Sequence, residues 1–318
     1  MPGATRYARN GDVSIAYEDL GGAGGDPLLL VMGLGVSRFW WPDGLVAELA
    51  GRGFHVVAYD QRDAGESTHL PDTGSGHPIT AVLRRRPAAY TAEDMTDDAA
   101  AVLDAIGWDS AHLFGHSMGG QLAQRMGLRH PGRVRSITSS ASLPSDVSGL
   151  AAARYVHLGL VARFARMKFP EGRDGDIALG LALARAVASP GYPFDEAEAR
   201  RRIGRDVVSG VRDTQAQSRQ AGAKWHGGRL AQLRVPTLVL HGDRDPLLRP
   251  SAGRRTAAAI PGARLVILPG VGHDLPAAVQ PRVAEEVRAL AGRAAAAGPG
   301  GPAVAGRPHP EAAAGQGG

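Results

Sequence analysis

Cysteine is absent from the 318 residues, and lysine occurs only twice, at Lys168 and Lys224. Without thiols there is no disulfide, no thiolate metal site and no cysteine nucleophile. No apolar run approaches the roughly 20 residues needed to cross a bilayer. The stretch from Met1 to Asn10 lacks the apolar core of a secretory signal. Cytoplasm is therefore the expected compartment, with no membrane span. The net charge of +5 and a pI near 9.9 invite a nucleic-acid reading. However, the basic runs Arg84–Arg86 and Arg200–Arg202 are short and carry no interleaved aromatics for base stacking. They read as solvated faces in a chain rich in Arg, Ala, Gly and Pro, so no nucleic-acid partner is expected.

A hydrophobic content of 43% is enough for a sizeable core. Val13–Tyr17 alternates as a half-exposed strand does. Pro27–Met32 is apolar without alternation, as in a parallel strand covered on both faces. Ser37–Ala50 has helical spacing at Trp41, Leu45 and Leu49, and Phe54–Tyr59 is the next strand. Thr91–Ile106 reads as an amphipathic helix that Thr91 or Asp94 could cap. The short apolar run before the Gly115–Gly119 turn and Arg133–Thr138 are further strands. From Leu143 to about Trp225 the buried-strand pattern disappears and helical stretches carrying aromatics take over. Strand character returns at Val235–Leu240 and Arg264–Leu268, before a final helix from about Ala277 to Arg293. Alternating strands and helices predict an α/β fold with a mostly parallel, doubly wound sheet. The expected organisation is a core part at 1–142, an inserted helical cap at 143–225, a second core part at 226–293 and a disordered Ala/Gly/Pro-rich tail at 294–318.

The most informative stretch is Gly115–His116–Ser117–Met118–Gly119, between a short apolar run and the helical Gln121–Met126. Gly-x-Ser-x-Gly at a strand-to-helix turn is the nucleophile-elbow pattern. With 44 glycines in the chain the pattern alone carries little weight. Its setting carries more, because serine on so sharp a turn needs neighbours without bulk on either side. Serine is a poor nucleophile at neutral pH and needs a base, usually a histidine oriented by a carboxylate. Two downstream strand ends offer both, His241–Gly242–Asp243–Arg244–Asp245 and Gly272–His273–Asp274. In parallel sheets reactive groups gather at such carboxyl ends.

Together these three segments resemble the α/β-hydrolase fold superfamily over about residues 13–291. Leu29–Gly33, Tyr59–Ser67 and Gly272–Pro276 are most similar to bacterial hydrolases related to the aclacinomycin methylesterases. The resemblance implies Ser117 as nucleophile, His273 as general base and Asp245 as the orienting acid, with Asp243 the alternative. Asp274 is assigned to the loop. An oxyanion would be held by the backbone N–H groups of Met118 and Leu34, the latter in Gly33–Leu34–Gly35. Packing is the expected role of His116. Arg62 is expected to form a structural salt bridge. Asp63 departs from the superfamily's Asp-x-Arg-Gly by standing where glycine is usual. Trp40, Trp41 and Trp225 are candidates for lining an apolar substrate pocket, with core packing the alternative for each. His241 and Asp243 have no third ligand spaced nearby, so neither a metal nor a cofactor is expected.

The expected activity is hydrolysis of a small-molecule carboxylic ester through an acyl-enzyme, with a bulky apolar or polyketide-type methyl ester as the favoured substrate. Thioester, lactone and C–C bond hydrolysis use the same three residues. A cofactor-free perhydrolase or haloperoxidase and a non-catalytic ligand-binding module are the alternatives.

Overall fold

The computed structural model describes residues 3–71, 89–207 and 213–297. The arginine run at 84–86 and the tail beyond residue 297 lie outside them. Eight strands form one sheet: β1 (Arg6–Asn10), β2 (Val13–Gly21), β3 (Asp26–Val31), β4 (Phe54–Tyr59), β5 (Ala111–His116), β6 (Val134–Ser140), β7 (Thr237–Gly242) and β8 (Arg264–Leu268). Their order is β1-β2-β4-β3-β5-β6-β7-β8. The pairings β1/β2 and β2/β4 are antiparallel, and every other pairing is parallel.

The apolar runs of the central strands have the composition of strands covered on both faces, and they are. Along β3, Leu28 and Leu30 point to one face while Leu29 and Val31 point to the other, the two-residue period of a strand. One face packs under helices α2 (Ala92–Ile106) and α3 (Met118–Arg129), through Met95, Leu103, Leu122 and Met126. The opposite face packs under α1 (Asp43–Gly51) and the C-terminal helix Gln280–Ala297, through Leu45, Leu49, Val283 and Leu290. Helix α2 begins where the sequence expects: Thr91 is the N-cap, and its hydroxyl and the Asp94 carboxylate satisfy each other's backbone N–H.

Between β6 and β7 the described chain is helical: α4 (Gly149–Ala153), α5 (Leu158–Phe164), α6 (Arg173–Val187), α7 (Glu196–Asp206) and α8 (Thr214–Gly222). One isolated antiparallel bridge, Val156 to Leu248, ties this excursion to the segment after β7.

Several boundaries differ from the sequence reading. Strand β1 carries mostly exposed polar residues, so no apolar pattern announces it. The helix expected over Ser37–Ala50 is a 3₁₀ turn at Arg38–Trp40 followed by α1. Pro42 separates the two because its ring cannot continue a helix from the preceding turn. Strand β7 starts at Thr237 rather than Val235, after Pro236, which has no N–H to give a ladder. The last helix runs to Ala297 instead of Arg293, because a run of alanines continues a helix readily.

Candidate active site

Strand β5 ends at His116, and Ser117 turns the chain directly into α3 with φ +56° and ψ −123°. A non-glycine residue there is strained, and close packing holds it. A Cβ at Gly115 would overlap the Gly119 carbonyl, and one at Gly119 would overlap the carbonyls of Val31 and Met32. The Ser117 N–H donates to Ser140 O at 2.9 Å, pinning the turn to β6. Ser117 thus stands at the N-terminus of a 12-residue helix, whose first N–H groups have no intrahelical acceptor.

His273 lies in the loop after β8, and its ring bridges two other segments. Nδ1–H donates to Asp245 Oδ2 at 2.7 Å. That tautomer leaves Nε2 free to accept from the Ser117 hydroxyl at 3.0 Å. Asp245 is buried. Its second oxygen accepts the Leu247 and Leu248 N–H groups, both at 2.8 Å. Burial pushes the Asp245 carboxyl up, but the His273 charge and hydrogen bond, with the backbone donors, outweigh it and hold the group below the usual carboxylate range. An ionised Asp245 can fix the imidazole tautomer and can stabilise a positive charge on the His273 ring.

One stretch, residues 187–191 at the end of α6, carries the His273 loop. Its N–H donates to Val187 O at 2.9 Å and the Gly191 N–H to Gly270 O at 3.0 Å. The Gly272 N–H donates to Ser189 Oγ at 2.7 Å, and Ser189 in turn donates to Asp274. Asp274 is therefore a loop tie. So is Asp243, which accepts the Gly270 N–H at 2.7 Å; of the two candidate acids, only Asp245 bonds the His273 ring.

His116, expected to pack, also supports the His273 loop. Its Nε2–H donates to the backbone oxygen of His273 at 2.8 Å, and the two rings sit 5.2 Å apart. Burial pulls the His116 imidazole down to about 3, with the His273 charge adding to the fall, so it stays neutral there. His241 Nε2–H donates to Leu248 O at 3.1 Å, within the Asp245 turn.

The Gly33–Leu34–Gly35 loop follows β3 and lies beside the serine. A methyl group on Gly33 would stand 3.1 Å from Ser117 Cβ and 3.6 Å from Oγ. Leu34 is 38% exposed. The sequence Asp60–Gln61–Arg62–Asp63 carries four buried polar side chains. Asp60 accepts the Arg38 N–H at 2.6 Å and pairs with its guanidinium. Gln61 donates to Met32 O. Arg62 holds both oxygens of Asp98 at 2.6 and 2.7 Å, the structural salt bridge expected of it. Asp63 has φ +64°, which explains why glycine suits the position. Its carboxylate grips Arg219 of α8 through two bonds of 2.8 Å.

The three tryptophans part company. Trp41 is 2% exposed and meets the Phe114 ring edge-on at 5.1 Å, so it is a core residue rather than a pocket wall. Trp225 packs on the core beneath α2 and α3, donating to Gly228 O at 2.9 Å. Trp40 is half-buried, and its indole donates to Asp206 of α7 at 2.6 Å. An open cavity of about 520 Å³ lies between residues 153–160 and Pro246 and Arg249. Its lining includes neither Ser117 nor His273.

Comparison with known proteins agrees with this architecture. Residues 26–276 match the family described as alpha/beta hydrolase fold. The rhodomycin D methylesterase DauP of Streptomyces sp. (strain C5) is 29% identical over 310 residues, spanning 89% of this chain and 96% of that one. DnrP of Streptomyces peucetius, also a rhodomycin D methylesterase, is 29% identical over 312 residues with the same coverage. A Rhodococcus esterase structure superposes with TM-score 0.70 at 24% identity, covering 91% of this chain and 98% of its own.

Proposed function

The chain belongs to the α/β-hydrolase fold family, and we propose that it is a carboxylic ester hydrolase acting through Ser117, His273 and Asp245. The observation that carries this reading is the pair of hydrogen bonds on one imidazole, 3.0 Å to the Ser117 hydroxyl and 2.7 Å to the Asp245 carboxylate. Ser117 Oγ attacks the ester carbonyl carbon as His273 Nε2 takes its proton. The carbonyl oxygen becomes an oxyanion, which accepts from the N–H groups of Met118 and Leu34. Collapse breaks the acyl–oxygen bond, His273 returns the proton to the departing alkoxide, and the acyl group stays on Ser117. A water, deprotonated by His273, attacks the acyl carbon. The acid leaves and the serine proton is restored.

The two methylesterases, 29% identical over 89% of this chain, support the substrate class we propose. A methyl ester on a bulky, weakly polar polyketide-type acid is the favoured substrate. The test is hydrolysis of aromatic methyl esters and short p-nitrophenyl esters, together with fluorophosphonate labelling. Wild type is expected to turn over and to label at Ser117, and Ser117→Ala to do neither. An unlabelled wild type, or Ser117→Ala with full activity, ends the assignment. Bromination that requires peroxide and exceeds hydrolysis moves it to acyl transfer onto peroxide.

A further inference from the structure

The donor assigned to Leu34 belongs to a single peptide unit, Gly33 C=O to Leu34 N–H. Its neighbours are the Met32–Gly33 peptide on one side and the Leu34–Gly35 peptide on the other. Each neighbour is held by a buried glutamine. Gln61, 2% exposed, donates Nε2–H to Met32 O. Gln220, 3% exposed, accepts the Gly35 N–H on Oε1 at 2.9 Å and donates Nε2–H to Arg62 O at 2.7 Å. The second glutamine arrives from α8, 185 residues downstream of Gly35. Its helix is locked in place one residue earlier by the buried Arg219–Asp63 pair.

The loop needs such a clamp. Gly33 and Gly35 are both glycines, and Gly35 sits at φ +67°. Glycine offers no side chain to fix its own backbone. Leu34 is exposed and gives no anchor. A donor that has to be in place before charge develops must be oriented by something else, since preorganisation is what makes it effective. We propose that Gln61 and Gln220 are positioning residues that clamp the two peptides flanking the oxyanion donor and so preset the direction of the Leu34 N–H. Neither glutamine touches the substrate. Both act through the backbone. This inference rests on the ester-hydrolase reading, and on Leu34 within it.

The experiment uses the full chain with a p-nitrophenyl ester and an arylboronic acid, which adds to Ser117 and places an oxygen where the oxyanion forms. Gln220→Met is close in volume and lacks both the acceptor for Gly35 and the donor to Arg62 O; Gln220→Glu keeps the acceptor alone. Losing a whole donor costs about 100- to 1,000-fold, and a misdirected one should cost less. Gln220→Met is therefore expected to lower kcat about 10- to 100-fold, leave KM within about twofold and weaken the boronic acid by a similar factor. Gln220→Glu is expected to recover part of that loss, and Gln61→Met to repeat the Gln220→Met pattern. Should Gln220→Met fail to fold, Gln61→Met and Gln220→Glu still decide. Wild-type kcat in the methionine variants overturns the clamp, as does a kcat loss with unchanged boronic acid affinity or equal losses in Gln220→Glu and Gln220→Met. Activity surviving in Ser117→Ala would instead remove the ester-hydrolase reading itself.

Discussion

Replacing Asp245 separates its two jobs. One oxygen faces the His273 ring, and the other accepts two backbone N–H groups at 2.8 Å each. Asp245→Asn can keep its carbonyl oxygen on Leu247 and Leu248 while presenting an NH₂ to the imidazole. Nδ1 would then have to accept, Nε2 would carry the proton, and His273 could no longer take one from Ser117. A reversed tautomer of this kind costs about 10⁴ in kcat. Asp245→Ala loses the same catalysis and also leaves two backbone donors unpaired, at about 1–3 kcal/mol each. For a chain of 318 residues that corresponds to about 1.5 °C in Tm per kcal/mol. Ester hydrolysis and thermal melting of both variants give the check. Both should be silent, and the alanine variant should melt several degrees below the asparagine variant. An asparagine variant within tenfold of wild-type kcat would refute the role given to the carboxylate.

Two further outcomes follow from buried charge. Asp63→Gly relieves the backbone at φ +64° but strands the Arg219 guanidinium, and breaking a buried pair costs about 3–5 kcal/mol. The variant should lose stability in urea, and Asp63→Gly with Arg219→Met should regain most of it; a double variant no better than the single one contradicts this. Burial pulls the His112 imidazole down to about 4, with the Arg135 charge adding to the fall. Below pH 6.5 the unfolded chain therefore binds a proton that the folded chain refuses. Stability should decline as pH drops from 6.5 to about 4, by as much as about 3 kcal/mol from this group alone. His112→Gln should flatten that decline in the urea midpoint between pH 7 and 5, and an unchanged slope argues against it.

What sequence could and could not show has a physical basis. The Thr91 cap, the paired glycines around Ser117 and the buried runs of β3 and β5 are local patterns, so they were readable. The choice of Asp245 over Asp243 came from resemblance rather than from spacing, and the structure supplies its geometric reason. Asp243 reaches back to Gly270 while Asp245 faces the ring. For Trp41 the pattern leaves pocket wall and core packing equally open, because a large aromatic in a loop-like stretch can face either way. Only the third dimension turns it onto Phe114. The bonds of Gln220 to Gly35 and of Arg219 to Asp63 span more than 150 residues. No periodicity announces such contacts, and a glutamine in a polar helix looks like any solvated residue. Strand β1 escaped for the opposite reason, because it pairs through its backbone and buries little else than Ala8.

The attachment of the His273 loop to Val187, Ser189 and Gly191 bears on protein engineering. Grafting a foreign set of helices between β6 and β7 is an obvious way to change which molecules are accepted. A chimera that replaced the stretch from Val187 to Gly191 would displace the carbonyl and discard the hydroxyl from which the histidine loop hangs, and is expected to be inactive even toward the smallest ester. The exchangeable portion therefore ends before Val187, and a transplant honouring that border should alter selectivity while leaving the chemistry intact.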